Sequence, residues 1–352
     1  MYAVQIAWIG LSSDYEASVK LLKELYTNTL LTDIATIRAQ LVQWQTSLRT
    51  SPDDNALLIQ RDRSFAAMEN WAAYNTYLTD VALYGHLDEL IKQCDAAPDE
   101  FVARLEGAKA LLQNKRGAIV QFAGNDASVE ICKRYMPAFF DGMADTAREK
   151  VDYTPLRLDI TREALINNAT VHMNLLVGKT EDYSGKSLPI LFFIDDTYML
   201  PKLRNALGAY GAYCAIDTEF TYIYTYRDPN LQSTYDTFCA LPEYLRTADI
   251  TQADVDRYIV GSYTTLAQPN GMLTGAIDAL ALRLQGYDSD WKLQLMREAK
   301  STTVDDVRSM ADRLDGVIQK GIFTSSGSRS LIDQNAALFD SFVRIDAEGT
   351  DG

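Results

Sequence analysis

Residues Thr218–Arg227, TEFTYIYTYR, alternate without a break. Phe220, Tyr222, Tyr224 and Tyr226 fall on one side, and Thr221, Ile223 and Thr225 on the other, which is the period of a β-strand. Such a strand needs paired neighbours and cover for its faces, so the chain must contain a sheet. Ala164–Val177 and Ile322–Ser325 are the strands expected beside it in the second half of the chain. Helices are expected around them. Ser187 should cap an apolar helix from Leu188 to about Arg204, kinked where Pro201 lacks an N–H. Asp228-Pro229-Asn230 reads as a turn into a helix starting near Leu231. Thr251 with Asp254 and Thr303 with Asp306 have capping-box spacing, predicting helices over Gln252–Tyr263 and Val304–Gln319, the second closed by Gly321.

The first half is mainly helical. Tyr2–Leu11 (YAVQIAWIGL) reads as a strand, and Ser12-Ser13-Asp14 caps a helix to about Asn28. Asp33 starts a second helix, with Ile34, Ile37, Leu41 and Trp44 at helical spacing. A long helical stretch is expected from Asp54 to about Tyr84, stopped by Gly85. Pro98 opens a helix over Asp99–Lys115, Ala118–Phe122 reads as a short buried strand, and Ala127–Phe140 as a last helix. Residues 143–160 are polar. The expected division is therefore 1–142, a linker at 143–160, and 161–352, two modules of α+β type.

The balance of 33 basic against 48 acidic residues gives a net charge of −15. That excludes a nucleic-acid binder, which needs a basic footprint, and argues against docking on an anionic membrane. No apolar run reaches the length of a membrane span. Cys94, Cys132, Cys214 and Cys239 form no CxxC clamp and read as free thiols of a reducing compartment. Only two histidines occur. His86-Leu87-Asp88-Glu89-Leu90 imitates HxxEH but has Leu90 where a second ligand must stand. His86 reads as a surface or capping residue at a helix start, and His172 as a core or strand-face histidine. Asp195-Asp196 reads as a pair of solvated helix residues, and no phosphate-binding glycine loop occurs.

The stretch Tyr198–Asn230, YMLPKLRNALGAYGAYCAIDTEFTYIYTYRDPN, carries a helix ending in an arginine, a glycine-flanked tyrosine turn and a strand ending in YRDPN. This order resembles the C-terminal part of pitrilysin/insulinase-type zinc metallopeptidases, in the presequence-protease branch. Tyr235–Arg246, Thr251–Gly261 and Ser301–Leu314 are similar to the family's segments in the family's order, and Leu25–Ile37 resembles an earlier helix pair. The sequence departs from the pattern at Leu207, which replaces a glycine, at Thr225, where serine is common, and at Pro201.

The resemblance implies a half-clamshell of two similar α/β modules, each an antiparallel sheet packed with helices, the first truncated at its N-terminus. It implies the non-zinc half of an endopeptidase that degrades unfolded peptides, with the metal on an N-terminal half that this chain lacks. By motif, Arg204 and Tyr210 are the residues that contact substrate and stabilise the oxyanion, with Gly208 and Gly211 freeing the loop between them. The expected partners are an unfolded peptide and the zinc-bearing half, with no nucleic acid and no membrane. A bacterial-type cytoplasm is the expected location, with an organelle matrix as the other option. The competing readings are a catalytically silent peptide-binding or scaffolding subunit of the same superfamily, and an unrelated α+β protein with a chance similarity.

No cofactor is expected on this chain, because no second histidine stands at helical spacing from His86. Protein purified without a metal-affinity tag should carry no stoichiometric zinc by elemental analysis. One tightly held zinc per chain would overturn the division of labour between halves.

Overall fold

The computed structural model describes residues 4–49, 52–79, 81–147, 157–268 and 270–345. It is an α+β structure in two compact units that interleave along the chain. The first comprises residues 1–44, 87–153 and 269–289, and the second 45–86, 154–268 and 290–352. The polar segment at 143–160 thus contains one of several crossings, and residues 45–86, which precede it, pack with the second unit.

Among the described residues, the first unit carries helices and no named strand, with one isolated bridge between Asn114 and Ala144. Its core gathers Tyr15, Val19, Cys132, Met136 and Phe139, and the Tyr15 hydroxyl donates to the Cys132 sulfur at 3.1 Å. The strands expected at Tyr2–Leu11 and Ala118–Phe122 are not formed: residues 4–11 and 118–122 are irregular, and residues 2 and 3 lie outside the described set. The physical reason is the lack of a partner. Val4, Ile9, Leu11, Ile119 and Val120 are exposed, and an alternating segment with nothing to pair with has no ladder to join. The long helix expected from Asp54 is broken into Pro52–Met68 and Asn70–Thr79. Gly85 stops nothing, because Val81–Ala96 runs through it, so His86 is an exposed residue in a helix interior rather than at a helix start.

The second unit is built on one six-stranded sheet. Its strands are β1 (Arg162–Asn167), β2 (His172–Lys179), β3 (Gly211–Ile216), β4 (Phe220–Asp228), β5 (Ile322–Ser328) and β6 (Ser341–Arg344), in the order β3-β4-β2-β5-β1-β6. The sheet is mixed rather than wholly antiparallel, because β1 runs parallel to both β5 and β6. The strand expected over Ala164–Val177 is two strands with a turn between them.

Period-two alternation sends the two sides of β2 and β4 into different cores. Leu176 and Ile223 join Phe238, Leu241, Leu314 and Phe323 in the larger core, beneath helices Gln232–Thr247 and Val304–Lys320. Leu175, Val177 and Phe220 face the other way, against Phe65 and Ala66 of helix Pro52–Met68. Phe65 and Phe220 stack with centroids 3.8 Å apart. Arg63 on that helix makes a two-pronged bond to the buried Glu163 of β1, at 2.5 and 2.8 Å, the geometry in which an arginine–carboxylate pair is strongest.

Both capping boxes form as the spacing predicts, at Thr251 with Asp254 and at Thr303 with Asp306. Ser187 does not cap: the N-cap residue is Lys186 and makes no side-chain cap bond, and the Ser187 hydroxyl is buried without a partner. The helix expected to run to Arg204 is α-helical only over Ser187–Ile194 and then π-helical over Asp195–Ala206. Pro201 lies inside that stretch. In an α-helix its ring would crowd the carbonyl of Thr197, four residues back. Here that carbonyl accepts from the Tyr244 hydroxyl at 3.4 Å, and the wider turn replaces the expected kink.

Phe238 is fully buried in the larger core. Phe238→Ala should lower stability by about 3–5 kcal/mol, the usual loss for a buried phenylalanine, and Thr303→Ala by about 1 kcal/mol through its cap. Urea unfolding followed by circular dichroism checks both, and similar losses from the two would contradict this placement of the core.

Candidate functional site

Arg204 and Tyr210 come together at the end of the π-helical stretch. The chain leaves Ala206, turns through Leu207–Tyr210 and enters β3 at Gly211. Gly208 has φ +84°, a left-handed conformation that a side chain would oppose. The loop closes on itself with bonds from Gly208 N–H to Arg204 O at 3.1 Å and from Ala209 N–H to Leu203 O at 2.9 Å. Ala209 is buried, while Tyr210 points out and is 64% exposed. The Arg204 guanidinium lies over the Tyr210 ring, 5.8 Å from its centroid. Gly211 does not have the left-handed backbone that its place in the motif suggested. It begins a strand, and a β-carbon there would meet the Tyr213 ring at 2.9 Å. Its smallness leaves room for an aromatic neighbour.

The aromatic side of β4 continues this surface. Tyr210 meets Tyr226 edge-on with centroids 6.1 Å apart, and Tyr213 packs on Tyr224, its cross-strand partner, at 5.5 Å. Phe220 and Tyr222 lie under helix Pro52–Met68. Tyr224 and Tyr226 are half-buried, and Tyr210 and Tyr213 are exposed. The row of rings thus starts in a core and ends at the surface, on the edge strand β3.

The loop is anchored from below by buried polar groups that the sequence reading took for a simple turn. Asn230 donates its side-chain amide to the Leu207 carbonyl at 2.6 Å. Asn230 is held by its own backbone N–H, which donates to Asp228 Oδ1 at 2.9 Å. The other oxygen of the fully buried Asp228 accepts from Thr234 Oγ1 at 2.7 Å and from Asn174 Nδ2 at 3.1 Å. Asn174 also donates to Thr225 Oγ1 at 3.1 Å and to the Asn230 carbonyl at 3.0 Å, and its oxygen accepts from Ser325 at 2.7 Å. His172 lies beside Ser325, with Nδ1 3.4 Å from Oγ. Burial holds this imidazole below its usual range although Asp228 nearby pulls the other way, so His172 is a core residue, as expected. Tyr210 N–H donates to the Arg227 carbonyl at 3.2 Å, closing the loop onto β4.

Asp195, expected to be solvated, is largely buried at the start of the π-helical stretch. Its Oδ1 accepts from the backbone N–H of Cys214 on β3 at 2.8 Å. Desolvation pushes its carboxyl up to about 7 against the pull of that single bond. Asp196 behaves as read, exposed and bonded to the Tyr258 hydroxyl at 2.9 Å.

Among the described residues, no three His, Cys, Asp or Glu side chains are grouped to hold a metal ion, and the residues around Arg204 and Tyr210 supply no zinc-ligand set. The four cysteines are free, with Cys239 exposed. No helix among the described residues is long and apolar enough to cross a membrane.

An arginine and a tyrosine thus stand together on a pinned surface loop of a helix-packed mixed sheet, with no metal-ligand set grouped among the described residues. Residues 164–325 match the family model of the PreP C-terminal domain. Protein HypA of Clostridium perfringens is 22% identical over 349 residues, covering 97% of this chain and 35% of that protein. Presequence protease 1, chloroplastic/mitochondrial, of Arabidopsis thaliana is 25% identical over 257 residues, covering 70% of this chain and 23% of that protein. The fold is that of the peptidase M16 inactive domain from Pseudomonas fluorescens, with a TM-score of 0.56, 13% identity, and coverage of 90% of this chain and 75% of that one. The second half of the chain is thus similar in sequence to the PreP C-terminal domain and to a presequence protease, and the fold is similar to that of an M16 peptidase inactive domain. It spans about a third or less of the length of these two curated relatives.

Asp195 makes stability depend on pH. Burial raises its folded pKa to about 7, well above the usual carboxylate range, so between that range and about 7 the folded state holds a proton that the unfolded state has lost. Stability should therefore fall as pH rises from about 4 through 7. Cys214 and Tyr224 are the titratable groups that feel its charge, and both stay protonated over that range. Thermal melts from pH 5 to pH 8 should show this decline and should be flatter for Asp195→Asn. An equal slope in the variant would mean that Asp195 is ionised throughout.

Proposed function

We propose that this chain is the non-zinc half of a metalloendopeptidase that degrades unfolded peptides, and that Arg204 and Tyr210 are its contribution to the reacting centre. The observation that carries the reading is their pairing. The two side chains are in contact and exposed, and stand on a loop whose backbone is bonded to Arg227 and Asn230. Exposed side chains on a rigid backbone are what substrate contact needs, because a donor held in place before the reaction loses little on meeting the transition state.

The chemistry fits these two groups. When water adds to a peptide carbonyl, negative charge develops on the carbonyl oxygen. The Tyr210 hydroxyl donates one hydrogen bond to that oxygen, and the Arg204 guanidinium holds the neighbouring backbone carbonyl or shares the charge. The neighbouring rings of Tyr213, Tyr224 and Tyr226 give an extended peptide an aromatic bed beside these donors. Activation of the water is assigned to the other half, because no three metal-ligating side chains are grouped among the described residues. The partner is the zinc-bearing N-terminal half, and the reading places the enzyme in a bacterial-type cytoplasm or an organelle matrix.

The test is reconstitution with that half. Tyr210→Phe should lower kcat by about a hundredfold with little change in KM, because its hydroxyl acts on developing charge. Arg204→Ala should lower kcat and raise KM together. Both are surface changes and should leave thermal unfolding within a degree or two of the parent. Unchanged turnover with a lowered melting temperature would make both residues structural and end this reading.

A further inference from the structure

Arg227 is out of place by the rules that govern strands. The β2–β4 register shifts between His172 and Asn174: His172 faces Asp228 while Asn174 faces Thr225. Between these pairs one residue of β2, Met173, is opposed by two of β4, Tyr226 and Arg227, and the extra residue is a β-bulge. Arg227 sits in it with φ +48°. Glycine is the residue that takes a left-handed bulge position without strain, and a long branched cation is rare there. Bulges re-aim side chains, and left-handed non-glycine residues cluster at ligand sites.

The side chain it re-aims is exposed, and its guanidinium lies over the Tyr226 ring, 5.4 Å from the centroid. Tyr226 touches Tyr210, and Tyr210 carries Arg204 over its own ring. Two guanidiniums therefore flank one pair of rings. Neither makes an ion pair among the described residues, in a chain with 48 acidic residues against 33 basic ones. An arginine held in the open by a strained backbone, braced on an aromatic face, presents its free donors to a planar anion.

We propose that Arg227 is a second substrate-binding residue and recognises a carboxylate of the bound peptide. The proposal rests on the peptide-binding reading above and adds a specificity to it. The carboxylate is either an acidic side chain or the peptide's own C-terminus, and both offer the same two oxygens to the fork of the guanidinium. Arg204 serves the scissile backbone, and Arg227 holds the peptide at a neighbouring point.

The full chain is titrated by fluorescence anisotropy with four labelled unstructured peptides of one sequence. One has an internal aspartate and a free C-terminus, one has Asn in place of the Asp, one has a C-terminal amide, and one has both changes. The parent chain should bind the doubly changed peptide about tenfold more weakly than the first, as expected for loss of one charge-assisted bond. Whichever single change reproduces the loss names the carboxylate. Arg227→Gly should erase the difference while leaving the melting temperature unchanged or raised, since glycine relieves the bulge. Arg227→Lys should restore part of the preference. Equal affinity of the parent for all four peptides, or a preference that survives Arg227→Gly, overturns the proposal and leaves the Arg204–Tyr210 reading standing. Failure of the parent to bind any of the four overturns both.

Discussion

The carboxylate of Asp228 is fully buried and makes no ion pair among the described residues. It is held by the Asn230 backbone, Thr234 and Asn174. Hydrogen bonds of this kind compensate a buried charge only while all of them are made, and losing one leaves a cost far larger than the bond was worth. The partners come from different elements. Asn174 belongs to β2, Thr234 to helix Gln232–Thr247, and Asn230 to the turn before that helix. Ser325 of β5 extends the set to the next strand through Asn174. The middle of the sheet, the start of a helix and the loop bearing Tyr210 therefore depend on one ion.

That dependence separates support from contact in the site. Asn230 reaches the Leu207 carbonyl from within the unit, so the loop's backbone is fixed on its buried side and its side chains are left to the surface. Ala209, Tyr210 and Gly211 alternate inward, outward and inward, and this alternation frees the Tyr210 hydroxyl. The loop has little freedom to lose when a ligand arrives, and a site that begins ordered binds with a smaller entropic penalty.

What the sequence disclosed was local. The alternation of Thr218–Arg227 and the two capping boxes depend on residues within a few positions of each other, and each formed. Contacts at long range did not show. Asp228, Pro229 and Asn230 read as a turn, and a turn they are, but the partners that bury Asp228 include Asn174, 54 residues away. Asp195 looked solvated because its neighbour on β3 comes from beyond the next loop. The short strand β6 and the helix Met272–Leu284 went unread. In the first unit the error ran the other way: Tyr2–Leu11 and Ala118–Phe122 have strand composition, but pairing is a property of two segments, and residues 4–11 and 118–122 pair with none of the described residues. Arg204 and Tyr210 were legible through a family likeness. Arg227 was quoted in the same motif, yet its bulge is a feature of register that no single strand reveals.

Both flanks of the Tyr210 loop carry one irregular element: the π-helical stretch Asp195–Ala206 before it and the bulge at Arg227 after it. Each amounts to surplus chain taken up inside a regular element. A π turn holds more residues than an α turn, so the direction in which Arg204 leaves the helix depends on how many residues the wide turns hold, each one worth about 100° in an α-helix. Insertions and deletions here are therefore rotations of Arg204, not changes in loop length.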